Sequence, residues 1–200
     1  MHVVIKEVGT VQTFIEKKTS MVITDPKMEL YKCSKETLEK RGYIVHLLNL
    51  DDPLHSMGFN PLEQIKEEYI NGNYAEAELL AQAFSYSIFN PDSPANTDSF
   101  WQDTSSSLLT ALILAHVNDC LREHEEEKIN MYSIINTFTE LATITNEKNP
   151  NVTALDSYFA QRPALDRAKM KYAGIQVTGD RTKGSIFASM LTKLTIFTFE

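Results

Sequence analysis

An acid and a base stand two residues apart in the stretch Thr24-Asp25-Pro26-Lys27. A carboxylate in such a turn can cap a helix or meet a cation, and an ammonium can meet a phosphate or an acid. Two readings of Asp25 and Lys27 follow. They touch a nucleotide or a neighbouring subunit, or they form a helix-start turn in which the acid caps and the lysine is solvated. A second set of candidates is Arg162, Arg167, Lys169, Lys171, Arg181 and Lys183, set against Asp166 and Asp180. This is the one basic region of an acidic chain. It reads as a contact for DNA or for a partner, or as an ordinary helix surface. No catalytic residue can be nominated. The five histidines, His2, His46, His55, His116 and His124, are scattered. His116 and Cys120 stand at i, i+4, but a metal site needs further ligands and none is in view. Ser185 has neither a histidine base nearby nor a nucleophile elbow.

The chain of 200 residues suits one large domain or one and a half, and its 42% hydrophobic content is ample for a core. The net charge of −8 argues against nucleic-acid binding by bulk electrostatics, which needs clustered cations to displace counterions. The longest apolar patch, residues 108–117, includes Thr110 and His116 and is too short for a membrane span. No signal peptide is visible, and the two cysteines, Cys33 and Cys120, are too few for a disulfide framework. A reducing cytoplasm is the expected compartment.

The elements that must position these residues read as follows. Residues 2–5 suit a strand and 11–18 the tail of a helix. Residues 21–24 read as a short buried strand, broken by Asp25-Pro26, because proline has no N–H for a sheet ladder. A helix over 29–41 stops at Gly42, and 43–50 reads as a second, nearly all-apolar strand. Strand, helix and strand make a βαβ unit. Beyond Phe59-Asn60-Pro61 everything reads as helical: 62–69, 74–89, a long helix to 123 opened by a Ser99/Gln102 capping box, 131–142, 155–160, a helix from Pro163 to 174, and 183–194. Residues 143–152 read as a polar loop, and Trp101 as a core anchor. No internal repeat is present.

The stretch from Thr24 to Tyr31, Thr-Asp-Pro-Lys-Met-Glu-Leu-Tyr, resembles the Asp-Pro-Lys-Gly-Glu motif of TraG-like type IV coupling proteins, the DNA-pumping ATPases of bacterial conjugation. Met28 stands where that family has glycine. The resemblance continues in order through Asn60-Pro61, through the Phe100-Trp101…Leu108-Leu109 segment, and through Thr182-Lys183-Gly184-Ser185-Ile186. It implies an α/β fold, a partial parallel-sheet P-loop-type domain carrying a large inserted all-α subdomain. The implied division is 1–70 for the partial nucleotide-binding domain, 71–178 for the all-α subdomain, and 179–200 for the helix returning to the α/β domain. The sequence holds no G-x-x-x-x-G-K-[ST] loop, and Gly9 is the only glycine before Gly42. The strand ending in Asp-Glu is also missing. The chain is therefore expected to be a fragment without ATPase activity of its own, with ATP and Mg²⁺ belonging to the full-length parent.

By the same resemblance the parent is a homo-hexamer at the cytoplasmic face of the cell membrane. It recruits relaxase-bound DNA and pumps it using ATP. The fragment is expected to be a monomer or weak dimer. Its expected partners are the relaxase or relaxosome proteins, and DNA through the basic patch. The competing reading is a stand-alone helical protein-interaction module with no motor role.

Overall fold

The longest apolar run of the sequence becomes the axis of the structure. The computed structural model describes residues 20–49, 51–90, 100–143, 145–146 and 149–197. In chain order the helices are α1 (Glu29–Lys40), α2 (Glu63–Ile70), α3 (Tyr74–Phe89), α4 (Phe100–Glu123), α5 (Met131–Thr143), α6 (Ala154–Ala160), α7 (Arg167–Gln176) and α8 (Asp180–Leu194). Strands β1 (Thr145–Asn146) and β2 (Asn149–Thr153) pair antiparallel between α5 and α6. The chain divides into two compact units, Met1–Phe59 and Asn60–Glu200.

In the second unit, α4 is buried on every side between Leu108 and Ala115. A helix with no polar stripe belongs inside a bundle. Helices α2, α3, α5, α7 and α8 all pack against it. The bundle includes Leu62 and Ile65 of the α2 segment, Ala77 and Ala81 of α3, Ile134 and Phe138 of α5, Tyr172 and Ile175 of α7, and Ile186 and Met190 of α8. Each large side chain among these contributes on the order of 1.5–3 kcal/mol by leaving water. The i, i+3, i+4, i+7 pattern of 131–142 is realised as the buried face Met131, Ile134, Ile135 and Phe138. The interval 143–152 holds the β1–β2 hairpin where a loop was expected. Pro163 does not start a helix; it lies in the turn before α7, whose N-cap is Asp166.

The first unit corrects the expected fold class. The structure is helical, and it is not an α/β domain with a parallel sheet: among the described residues the β1–β2 hairpin is the only strand pairing. Residues 21–24 and 43–49 do run extended. Burial alternates residue by residue along both, half-buried at Met21 and Ile23, then at Tyr43, Val45 and Leu47, and exposed between. That is the period of a strand. A strand also needs a neighbour to take its N–H and C=O groups, and neither stretch has a ladder partner. Their inner faces pack on Leu38 of α1 through Met21, Tyr43 and Val45. Their outer faces leave Val22, Ile44 and Leu48 open, with Ile44 84% exposed.

Trp101 is not a core anchor. It is 40% exposed at the first turn of α4, edge-on to Phe100 at 5.2 Å. The strand expected over 2–5, the helix tail over 11–18 and the capping residue Ser99 lie outside the described residues.

Candidate functional site

The Asp-Pro-Lys turn is built by Asp25. Its two carboxylate oxygens accept from the backbone N–H groups of Glu29 (3.1 Å) and Tyr31 (2.8 Å), and its own carbonyl accepts from Met28 N–H at 3.2 Å. The acid thus caps α1 from outside the usual N-cap position, which Met28 occupies. Met28 has φ 58° and ψ 19°, left-handed backbone that favours glycine. The departure from the Asp-Pro-Lys-Gly motif therefore falls where a side chain is least comfortable. Lys27 is exposed beside it. With both Asp25 oxygens engaged by the helix, and no glycine-rich loop among the described residues, this turn alone does not fit a bound ATP·Mg²⁺.

The basic stretch looks different in three dimensions. Arg162 is 9% exposed. Its guanidinium donates to Asp119 of α4, to Asp166 at 3.1 Å, to the Tyr158 hydroxyl at 2.8 Å and to the carbonyl of Ala115 at 3.1 Å. The Tyr158 hydroxyl donates in turn to Asp119 at 2.5 Å. Burial pushes the Tyr158 phenol well above its ordinary range, and its bond to Asp119 adds to that. Burial pulls Arg162 down, but Tyr158, Asp119 and Asp166 outweigh it and hold the charge on.

Lys183 is buried as well, with Nζ 3.0 and 3.1 Å from the two oxygens of Asp156. Asp156 closes a capping box with Thr153 at the start of α6 and accepts from the Tyr172 hydroxyl at 2.8 Å. One carboxylate thereby ties α6, α7 and α8 together. Burial raises its pKa, but the Thr153 N–H, Lys183, Tyr172 and the Thr153 hydroxyl together bring it below the usual carboxylate range.

The remaining cations are also engaged, apart from one. Arg167 donates to Glu78 of α3 at 2.5 Å, and Lys171 meets the same carboxylate at 3.0 Å. Lys169 donates to the carbonyls of Ala160 and Arg162, both at 2.8 Å, at the end of α6. Arg181 is exposed, and its side chain has no ion-pair partner among the described residues. Asp119, Asp156, Tyr158 and Glu78 were not singled out from the sequence. The Thr153-x-x-Asp156 spacing is a legible capping signal; the others come from distant helices and carry no local mark.

His116 is bonded internally. Its Nε2 lies 2.8 Å from the carbonyl of Lys128 and 3.5 Å from the Cys120 sulfur. The described residues contain no group of three side chains able to hold a metal.

One groove remains on the surface of the second unit, of about 420 Å³. Leu79, Gln82, Ala83 and Tyr86 of α3 form one side, Asp103, Ser106, Ser107 and Thr110 of α4 the other, and Lys171 of α7 also lines it.

These features, a capped Asp-Pro-Lys turn followed by a helical bundle, agree with what comparison with known proteins finds. The family model described as Type IV secretory system Conjugative DNA transfer matches residues 6–200. The chain belongs to that family. It is 30% identical over 117 residues to the conjugal transfer protein TraG of Rhizobium radiobacter, an alignment covering 58% of this chain and 17% of that protein. The chain thus spans about a sixth of the length of that curated relative. No solved structure matches it. Among the described residues no helix is long and apolar enough to cross a membrane.

Proposed function

We propose that this chain serves conjugative DNA transfer as the substrate-reading part of a coupling protein, and that its helical unit recognises the protein side of a relaxase–DNA substrate. The supporting observation is the fate of the basic stretch. Arg162 and Lys183 are buried in ion pairs, Arg167 and Lys171 share Glu78, and Lys169 is held by carbonyls, so Arg181 is the cation left to meet a phosphate. DNA affinity rests on several freely placed cations, since each phosphate neutralised releases a counterion. In this reading the whole protein is a hexamer at the cytoplasmic face of the membrane that hydrolyses ATP to move the DNA. Asp25 and Lys27 stand near the nucleotide or a subunit contact only as part of that larger assembly.

The test is binding of the purified chain to the relaxase of the same transfer system, and separately to fluorescent single- and double-stranded DNA across a salt series. The expected result is relaxase binding, with DNA alone bound weakly and reduced further in Arg181→Ala. Micromolar, salt-sensitive DNA binding without relaxase binding would overturn the reading.

A further inference from the structure

We propose that the groove between α3 and α4 is the docking site for an amphipathic helix of the partner protein. The inference rests on the reading above, that the helical unit recognises protein, and gives that recognition a place. The two walls have the same geometry. Leu79, Gln82, Ala83 and Tyr86 fall at i, i+3, i+4 and i+7 on α3, and Asp103, Ser106, Ser107 and Thr110 fall at i, i+3, i+4 and i+7 on α4. Each wall is therefore one stripe along a helix, about two turns or roughly 10 Å long.

The α3 wall is apolar where a surface helix should be polar: Leu79 is 58% and Tyr86 55% exposed. The α4 wall is made of short side chains, and the Thr110 hydroxyl already donates to the Ser106 carbonyl at 2.9 Å. It asks for no hydrogen bond from a guest and leaves room for inserted side chains. This is the shape that a laid-in helix fills with apolar residues at i, i+3 or i+4, and i+7.

The charges choose the occupant and its direction. Asp103 is exposed in the first turn of α4, and Lys171 lines the groove from α7, at the level of Leu79 and Thr110 rather than of Tyr86. Lys171 is held in place by Glu78, 3.0 Å away. A guest helix that carries a cation toward Asp103 and a carboxylate toward Lys171 is matched in one orientation and opposed in the other. A DNA strand, negative along its whole length, would meet Asp103 unfavourably.

The test uses the whole chain labelled at the exposed Cys33 and titrated with the relaxase, with single-stranded DNA as a separate arm. Ala83→Arg and Leu79→Glu block the groove at exposed positions, and Asp103→Lys reverses the charge at one end. Ala188→Arg, on the exposed face of α8, is the control. Relaxase affinity is expected to fall at least tenfold in Ala83→Arg and Leu79→Glu and several-fold in Asp103→Lys, with melting temperatures and the control unchanged. Should Ala83→Arg fail to fold, Tyr86→Ser, which removes bulk rather than adding it, must show the same loss. Relaxase binding that survives all the groove variants overturns the groove and leaves the proposed function standing. Absence of relaxase binding by the unaltered chain overturns both. Loss of DNA binding alone in the groove variants overturns the helical occupant.

Discussion

The two units handle apolar surface in opposite ways. The second closes a core around α4, with Leu108, Leu109, Ile113 and Leu114 fully buried, and places its ion pairs at the seams between helices. The first, over its described residues, buries one large apolar side chain, Leu38, and leaves Val22, Ile44 and Leu48 open. The lesson is about what a run of apolar residues means. In α4 it marks a helix that neighbours surround. In 43–49 it marks extended backbone whose outward face and hydrogen-bonding edge are both uncovered.

The sharpest test of this contrast is the buried Asp156–Lys183 pair. Lys183→Ala leaves a carboxylate buried without its cation and should cost about 3–5 kcal/mol in urea unfolding followed by helical signal. A cost near zero would mean that α8 is not anchored there.

Core truncations come next. Leu109→Ala should lose about 2–5 kcal/mol. Leu38→Ala, in a cluster whose other members are only half-buried, should change the melting of the second unit little. Equal losses would erase the distinction between the units.

Acid provides a third measurement. Asp156 and Glu78 both titrate below their ordinary range: burial raises each, and the bonds from Lys183 and Tyr172, or from Arg167 and Lys171, more than reverse it. The unfolded chain therefore binds more protons in this range. Their contribution is complete above the ordinary carboxylate pKa of about 4 and is lost as pH falls through the lower folded values. Unfolding midpoints should drop below about pH 4, and less so in Lys183→Ala.

The smallest effects sit in the Asp-Pro-Lys turn. Asp25→Ala should cost about 1 kcal/mol, seen as faster hydrogen exchange at the Glu29 and Tyr31 amides with no change in α4. Met28→Gly relieves left-handed strain of about 1 kcal/mol and gives back part of it as unfolded-state freedom, for a net gain of about 0.5 kcal/mol. A loss of stability there would show that the Met28 side chain is needed more than its backbone is strained.

Much of the helical unit was legible from periodicity. The bounds of α3 follow the pattern of 74–89, and α5 follows that of 131–142, because one stripe of each faces a core. The strand expectation failed at 21–24 and 43–49 because composition reports a preference for extended backbone and cannot supply the neighbouring strand that a ladder requires. The basic stretch was visible as charge, but not as charge already engaged. Asp119 lies 43 residues from Arg162, and Glu78 lies 89 from Arg167, separations at which local reading has no hold. Trp101 was misplaced for a related reason: a lone tryptophan usually marks a core, and only the packing of α4 shows its first turn facing solvent.

That outward-facing Trp101 has a practical consequence. As the only tryptophan of the chain it is the sole indole emitter, and its solvent contact predicts long-wavelength emission that iodide quenches readily. It sits two residues from Asp103 at the mouth of the groove. A tryptophan-free peptide settling along α3 and α4 should therefore shift this emission to the blue and shield it from quencher, so that occupancy can be followed optically without any added dye.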